Sequence, residues 1–253
     1  MKKSIKTIII IIFWLAVWEC VSLMINNPIL MAGPYETVKA LAEMAGEKDF
    51  WLSLKNSFLN ITGGIILGCV SGVILACLSG GFSIVREMLS PFVKVIKSIP
   101  VVSFVVIILL WCGNEHLSLI ISALITFPIF YLSILEGLKG TDKKQLEMAA
   151  VFKMKPFHKV KYIYMPALRP AIMSAVQLAV GMGWRSGAAA EVIGQPLLTM
   201  GNGLYRSKIF LATDRLFAWT VMIILVSVVS EKLFKLLAGL LYGNKNTKVD
   251  KSI

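Results

Sequence analysis

Residues 7 to 25 make a run of nineteen with one charge, Glu19. At 1.5 Å per residue a helix of that length covers a hydrocarbon core of about 30 Å. Five more apolar windows follow, at roughly 56 to 78, 88 to 112, 116 to 136, 170 to 193 and 215 to 237. These windows account for a composition that is 57% hydrophobic and only 16% charged, with a mean hydropathy of +0.78. The expected fold is an all-α membrane protein of about six transmembrane helices, one domain over residues 1–253, with no internal repeat and no linker. The third window is the least regular. Pro91, Lys94, Lys97 and Pro100 precede its uncharged, mostly apolar residues 101 to 112, which predicts a helix that starts at the cytoplasmic edge and bends near Pro100.

The first run follows Lys2, Lys3 and Lys6 but is too long for a signal peptide and lacks a small-x-small cleavage site, so it reads as a retained anchor. Trp18 and Glu19 stand before Cys20 where a lipid-attachment site needs small residues. The four cysteines, Cys20, Cys69, Cys77 and Cys112, lie in or beside apolar runs without metal-ligand spacing, and His116 and His158 have no ligating partner nearby in sequence. No metal or catalytic site is expected.

Lys and Arg distribution sets the orientation. Six spans put both termini on one side, and that side collects seventeen basic residues, eight of them between residues 139 and 169, against six on the other. Both termini and the segment 139 to 169 are therefore expected in the cytoplasm. Lys94, Lys97 and Arg185 fall within spans. The net charge of +12 is thus accounted for by topology, and a basic face interleaved with aromatics, as nucleic-acid binding would want, is absent. Gly64, Gly68 and Gly72 clear one face of the second span. The spacing fits close packing within the bundle or a subunit interface.

Between spans four and five, residues 143 to 153, KKQLEMAAVFK, read as a short amphipathic helix with Asp142 as its N-cap. Glu147 and Ala149, then Lys153, then Ile163, Tyr164, Met165 and Pro166 follow the spacing of a known signature: Glu-Ala-Ala, three residues, Gly, nine residues, Ile-x-Leu-Pro. Here Met148 replaces the first Ala, Met165 the Leu and Lys153 the Gly. With FVKVIKSIPVVSFVVIILLW before it and GMGWRSGAAAEVIG and LFAWTVMIILVSVVSEKLF after it, the chain resembles the permeases of binding-protein-dependent ABC importers, of the nitrate, sulfonate and taurine type, over about residues 54 to 237.

The resemblance implies a bacterial inner-membrane, multi-pass permease with a cytoplasmic coupling helix that docks on a separate ABC ATPase. Glu147, Ala149, Ala150, Lys153, Ile163, Met165 and Pro166 are the coupling residues it marks. ATP and magnesium would bind on that partner, and this chain has no G-x-x-x-x-G-K-[ST] phosphate loop of its own. An external substrate-binding protein and a second permease copy complete the expected assembly in the lipid bilayer. The substrate class it implies is a small organic or inorganic anion such as a sulfonate, taurine or nitrate, with vitamin precursors, which similar permeases also carry, as the alternative.

Charges within a span are costly and mark pathways, so Arg185 and Glu191 are candidates, with Ser98, Ser103 and Trp184 by location. Arg185, beside Gly183 and Gly187, is expected to face a polar cavity at the centre of the bundle and attract an anion, the alternatives being a structural ion pair with another helix or a snorkelling side chain. Glu191 near the outer end reads as a gate or structural acid. Six residues separate the two, about 120° around a helix, so they cannot share a direction. A self-sufficient secondary transporter would show paired inverted repeats, and a membrane-embedded enzyme would cluster His, Asp or Cys at a membrane face. Neither pattern is present.

Overall fold

The computed structural model describes residues 2–241, and the regular secondary structure of those residues is all helical. Its helices are α1 (Lys2–Ile25), α2 (Pro34–Ala45), α3 (Lys48–Gly81), α4 (Ser83–Ser98), α5 (Val101–Cys112), α6 (Leu117–Lys139), α7 (Lys143–Val151), α8 (Pro156–Lys159), α9 (Met165–Gly194), α10 (Met200–Ile209) and α11 (Thr213–Leu241). Lys245, Lys248 and Lys251 of the C-terminal basic run lie outside the described residues.

Among the described residues, Ile5–Ile25, Lys48–Gly81, Leu117–Lys139 and Pro156–Gly194 are long and apolar enough to cross a membrane. The α4–α5 pair makes a fifth span if counted as one. Helix α11 covers the sixth window with 29 residues and carries no charge from 216 to 230. The expected bend in the third window is a break. Ile99, held out of the helical region by the proline after it, has φ −84° and ψ 134°. Pro100 has no N–H to offer, and α4 and α5 meet at 105°. Twelve residues carry α5 only about 18 Å, too short to cross alone. Helices α2 and α10 were not visible as apolar windows because neither is a span.

A π-helical turn over Val160–Tyr164 joins α8 to α9. Pro166 cannot donate to the Tyr162 carbonyl and its ring crowds it, so the ladder slips by one and the Met165 N–H reaches back to Val160 O. The helix therefore runs on without interruption through Gly194.

Helix α3 packs along α6, and α6 along α9, with α11 against α9 and α10. The glycines of α3 make the first contact possible. A Cβ on Gly64 would run into the Leu119 carbonyl of α6; one on Gly68 would stand 2.6 Å from Ala123 O, and one on Gly72 2.8 Å from Phe127 O. The stripe thus serves packing within the protomer. Gly183 and Gly187 of α9 do the same from the other side, since a Cβ there would meet Ile65 at 2.6 Å and Ile61 at 2.8 Å. Ser122 Oγ donates to Gly183 O at 3.1 Å across that seam. Trp184, Phe130, Ile61 and Ile65 fill the core between the three helices.

Candidate functional site

The basic segment lies at one end of the bundle. Asp142 caps α7, its side chain accepting from Lys144 N at 2.9 Å. At the other end of the helix, Lys153 takes φ +47°. Lys153 N donates to Ala150 O at 3.0 Å and Met154 N to Ala149 O at 2.9 Å, the paired bonds of a Schellman stop. The sharp turn is therefore made with Lys in the left-handed region, where glycine has no Cβ penalty.

Helix α7 makes only sparse contacts with the bundle. Ala149 is fully buried toward the protomer, whereas Glu147 and Ala150 are exposed. Met148, Val151 and Phe152 present apolar surface to solvent, Val151 at 79% and Phe152 at 73% exposure. Of the signature's second half, Ile163 is buried in the π turn while Met165 and Pro166 are exposed. The segment combines a rigid, capped helix with an unpaired apolar and basic surface.

The candidates in the spans divide into two groups. Glu191 and Trp184 are sealed inside the protomer. Trp184 packs on Phe58 with ring centroids 6.1 Å apart. Glu191 Oε2 accepts from Ser57 Oγ at 2.7 Å and from Gly201 N at 3.2 Å, and Ser57 Oγ in turn accepts from Met200 N at 2.8 Å. Thr199, the N-cap of α10, takes Asn202 N at 3.2 Å. The first-turn N–H groups of α10, which have no partner inside their own helix, are thereby all occupied by α3, α9 and the cap. A Cβ on Gly201 would collide with Glu191 Cβ, so glycine is what lets α10 approach. Glu191 ties three helices together at the end of the bundle opposite α7.

Arg185 and Ser103 belong to the second group, on the outer surface of the protomer, so Arg185 is not at the centre of the bundle as expected: Gly183 and Gly187 turn their own face of α9 to α3 and α6, and Arg185 points the other way. Arg185 is exposed; its Nε donates to Gly181 O at 3.2 Å and it lines an open cavity of about 500 Å³ with Ser174, Gln177, Leu178, Gly181 and Glu231. Gly183 and Gly187, expected beside that cavity, instead face α3 and α6. Ser98 and Ser103 flank the α4–α5 break and are exposed, Ser98 Oγ donating to Val95 O at 3.0 Å. Sequence reasoning missed Ser174 and Gln177. Their positions at intervals of three and four before Gly181 and Arg185 were the available signal.

A bundle of long apolar helices with one exposed, capped helix at its end and a polar groove along an outer face defines a multi-pass membrane transport component. The chain belongs to the family described as binding-protein-dependent transport system inner membrane component, whose profile matches residues 64–241. It is the membrane-spanning permease subunit of an ABC importer, a transport subunit rather than an enzyme, with ATP hydrolysis on a separate subunit.

A Bacillus subtilis permease protein named for aliphatic sulfonates transport, SsuC, is 23% identical over 92% of this chain and 85% of its own length. The taurine transport system permease protein TauC of Escherichia coli is 23% identical over 85% of this chain and 80% of its own. Among solved structures, a bacterial ABC transporter involved in the import of the acidic polysaccharide alginate has the same fold. It superposes with a TM-score of 0.63 at 15% identity, covering 92% of this chain and 93% of that one.

Proposed function

We propose that two copies of this chain form the translocation path of an importer for a small organic anion, a sulfonate such as taurine or an alkanesulfonate. Each copy contributes six spans. Both termini and α7 face the cytoplasm, in keeping with the distribution of Lys and Arg. An ABC ATPase, carrying ATP and magnesium, docks on α7, and an external binding protein delivers substrate at the opposite end. Glu147, Ala150 and the apolar side chains of Met148, Val151 and Phe152 face the ATPase, while Ala149, Lys153 and Ile163 hold α7 in shape and Met165 and Pro166 begin the lever that runs into α9.

The single observation that carries the coupling assignment is the stance of α7: capped at both ends, loosely attached to the bundle, with Val151 and Phe152 uncovered. An apolar surface on a rigid, basic helix outside the membrane wants a protein partner. The pathway assignment follows from Arg185 at membrane depth. A guanidinium facing lipid is costly, and a second copy or a water-filled path removes that cost. Arg185 lines the path with Ser103, backed from inside by Trp184 and Glu191.

The test is purification of the tagged permease with its ATPase and binding protein, followed by reconstitution. The expected result is a second permease copy in the complex and taurine or butanesulfonate uptake only with ATP on the α7 side. Uptake by the permease alone, or a monomeric permease in the active complex, would overturn the assignment.

A further inference from the structure

The cavity at Arg185 does not end there. Leu178 also lines a second cavity of about 380 Å³, whose wall is apolar apart from Ser133 and Lys97. Lys97 and Leu132 are shared in turn with a third cavity of about 500 Å³ between α4 and α6. The three cavities adjoin, through Leu178 and then through Lys97 and Leu132, in a groove along an outer face of the protomer that heads toward the α7 end.

Depth along this groove can be measured from the end where Gly194 of α9 meets Leu117 of α6. At 1.5 Å per residue, Arg185 lies about 14 Å from that end and Leu178 about 24 Å. Ser133, sixteen residues into α6, also lies about 24 Å from it. Lys97, which shares a cavity with Leu178 and Ser133, therefore stands deeper than Arg185 but still within a hydrocarbon core of about 30 Å. Its side chain is exposed on the protomer and makes no ion pair among the described residues. Beyond it the third cavity gathers Arg86, Lys94, Lys97 and Lys139 against Glu87 and Glu136, with none of the six paired to another.

An unpaired ammonium at membrane depth is costly unless its side chain reaches water, a polar partner or an anion. The groove offers a succession of cations, Arg185 first, then Lys97 and the basic cavity beyond it, with an apolar stretch between the first two that would pass the body of an organic anion but hold no charge of its own. Resting on the reading of this chain as an anion permease, we infer that Lys97 is a second anion contact of the translocation path. It receives the substrate's charged group after Arg185 and hands it to the basic cavity of Lys94 and Arg86.

The inference is tested on the permease–ATPase complex in a background with Cys20, Cys69, Cys77 and Cys112 replaced by Ala. Ser133→Cys places a thiol in the cavity of Lys97, and Leu178→Cys is the second position should the first fail to fold. The rates of modification by the anionic 2-sulfonatoethyl and the cationic trimethylammonioethyl methanethiosulfonates are compared. The anionic reagent, itself a sulfonate, is expected to react faster. Adding Lys97→Gln should lower the ratio of the two rates about tenfold, and Lys97→Arg should keep it.

A ratio unmoved by Lys97→Gln overturns the inference. So does reaction with membrane-permeant N-ethylmaleimide alone, which would place the cavity against lipid. A ratio that changes between phosphatidylglycerol and phosphatidylcholine bilayers also overturns it, assigning the cations to a lipid headgroup. Failure of the ATPase to copurify with the unmutated permease would strike the functional reading itself, and is read independently of the labelling.

Discussion

Replacing Glu191 with Ala removes one acceptor and strands two donors. Ser57 Oγ–H and the Gly201 N–H both point at Oε2 from buried positions, at 2.7 and 3.2 Å. A buried donor left without a partner costs about 1 to 3 kcal/mol, so Glu191→Ala should cost about 2 to 6 kcal/mol, more than most single substitutions. The loss should be local at first, because the groups concerned are those that dock α10 on α3 and α9. The assay is thermal unfolding of the detergent-purified protein, read by tryptophan fluorescence, together with hydrogen exchange at Met200 and Gly201. Trp184 and Trp219 lie in the same core cluster as Met200 and report on it. A double-mutant cycle with Ser57→Ala isolates the shared bond, and the double variant should lose less than the sum of the two single losses. Glu191→Ala with unchanged melting and unchanged exchange at Gly201 would refute the reasoning.

Three further outcomes follow from the fold and the basic segment. Lys153→Gly relieves a left-handed residue of about 1 kcal/mol, so the Lys153 and Met154 amides should exchange about fivefold more slowly in hydrogen-exchange mass spectrometry; unchanged exchange would mean the turn is not limited by Lys153. Gly68→Leu must drive α3 from α6, where a Cβ would already stand 2.6 Å from Ala123 O, and should lose about 3 kcal/mol or more and most of the monodisperse protein in size-exclusion chromatography. Gly81→Leu, whose Cβ would meet nothing within 4 Å, is the neutral control, and equal behaviour of the two would refute the packing. In intact cells Lys48→Cys should react with an impermeant maleimide while Lys144→Cys reacts only after permeabilisation; the reverse would invert the topology.

The spans were legible because length and apolarity act locally: any 20 uncharged residues in lipid have few options besides a helix. The α7 cap at Asp142 was legible for the same reason, since an Asn or Asp before a helical pattern acts on its own neighbours. The sharpness of the break at Pro100 was not, because a proline permits a kink or a stop and packing against α6 selects between them. Glycine spacing on α3 marked a close approach without naming the partner, and only the fold shows that the partner is α6. Ala149 and Ala150 are adjacent and alike in sequence, yet one faces the protomer and the other solvent; nine residues of weak amphipathicity do not fix that rotation. Arg185 and Glu191 were separable by helical geometry alone, but which of them is sealed and which lies in the groove depends on α3, far away in the chain, and on how α10 folds back on α9.

The most direct test of coupling through α7 is Ala150→Trp. Ala149 is unsuitable because a bulky residue there would first disrupt the protomer, whereas Ala150 is exposed and a Trp at that position would obstruct only what docks on it. In the complex of permease, ATPase and binding protein, Ala150→Trp should leave membrane insertion and the melting temperature of the isolated permease unchanged. ATPase copurification and substrate-stimulated ATP hydrolysis should fall together by about tenfold or more. Full transport by Ala150→Trp with the ATPase still bound would contradict the account.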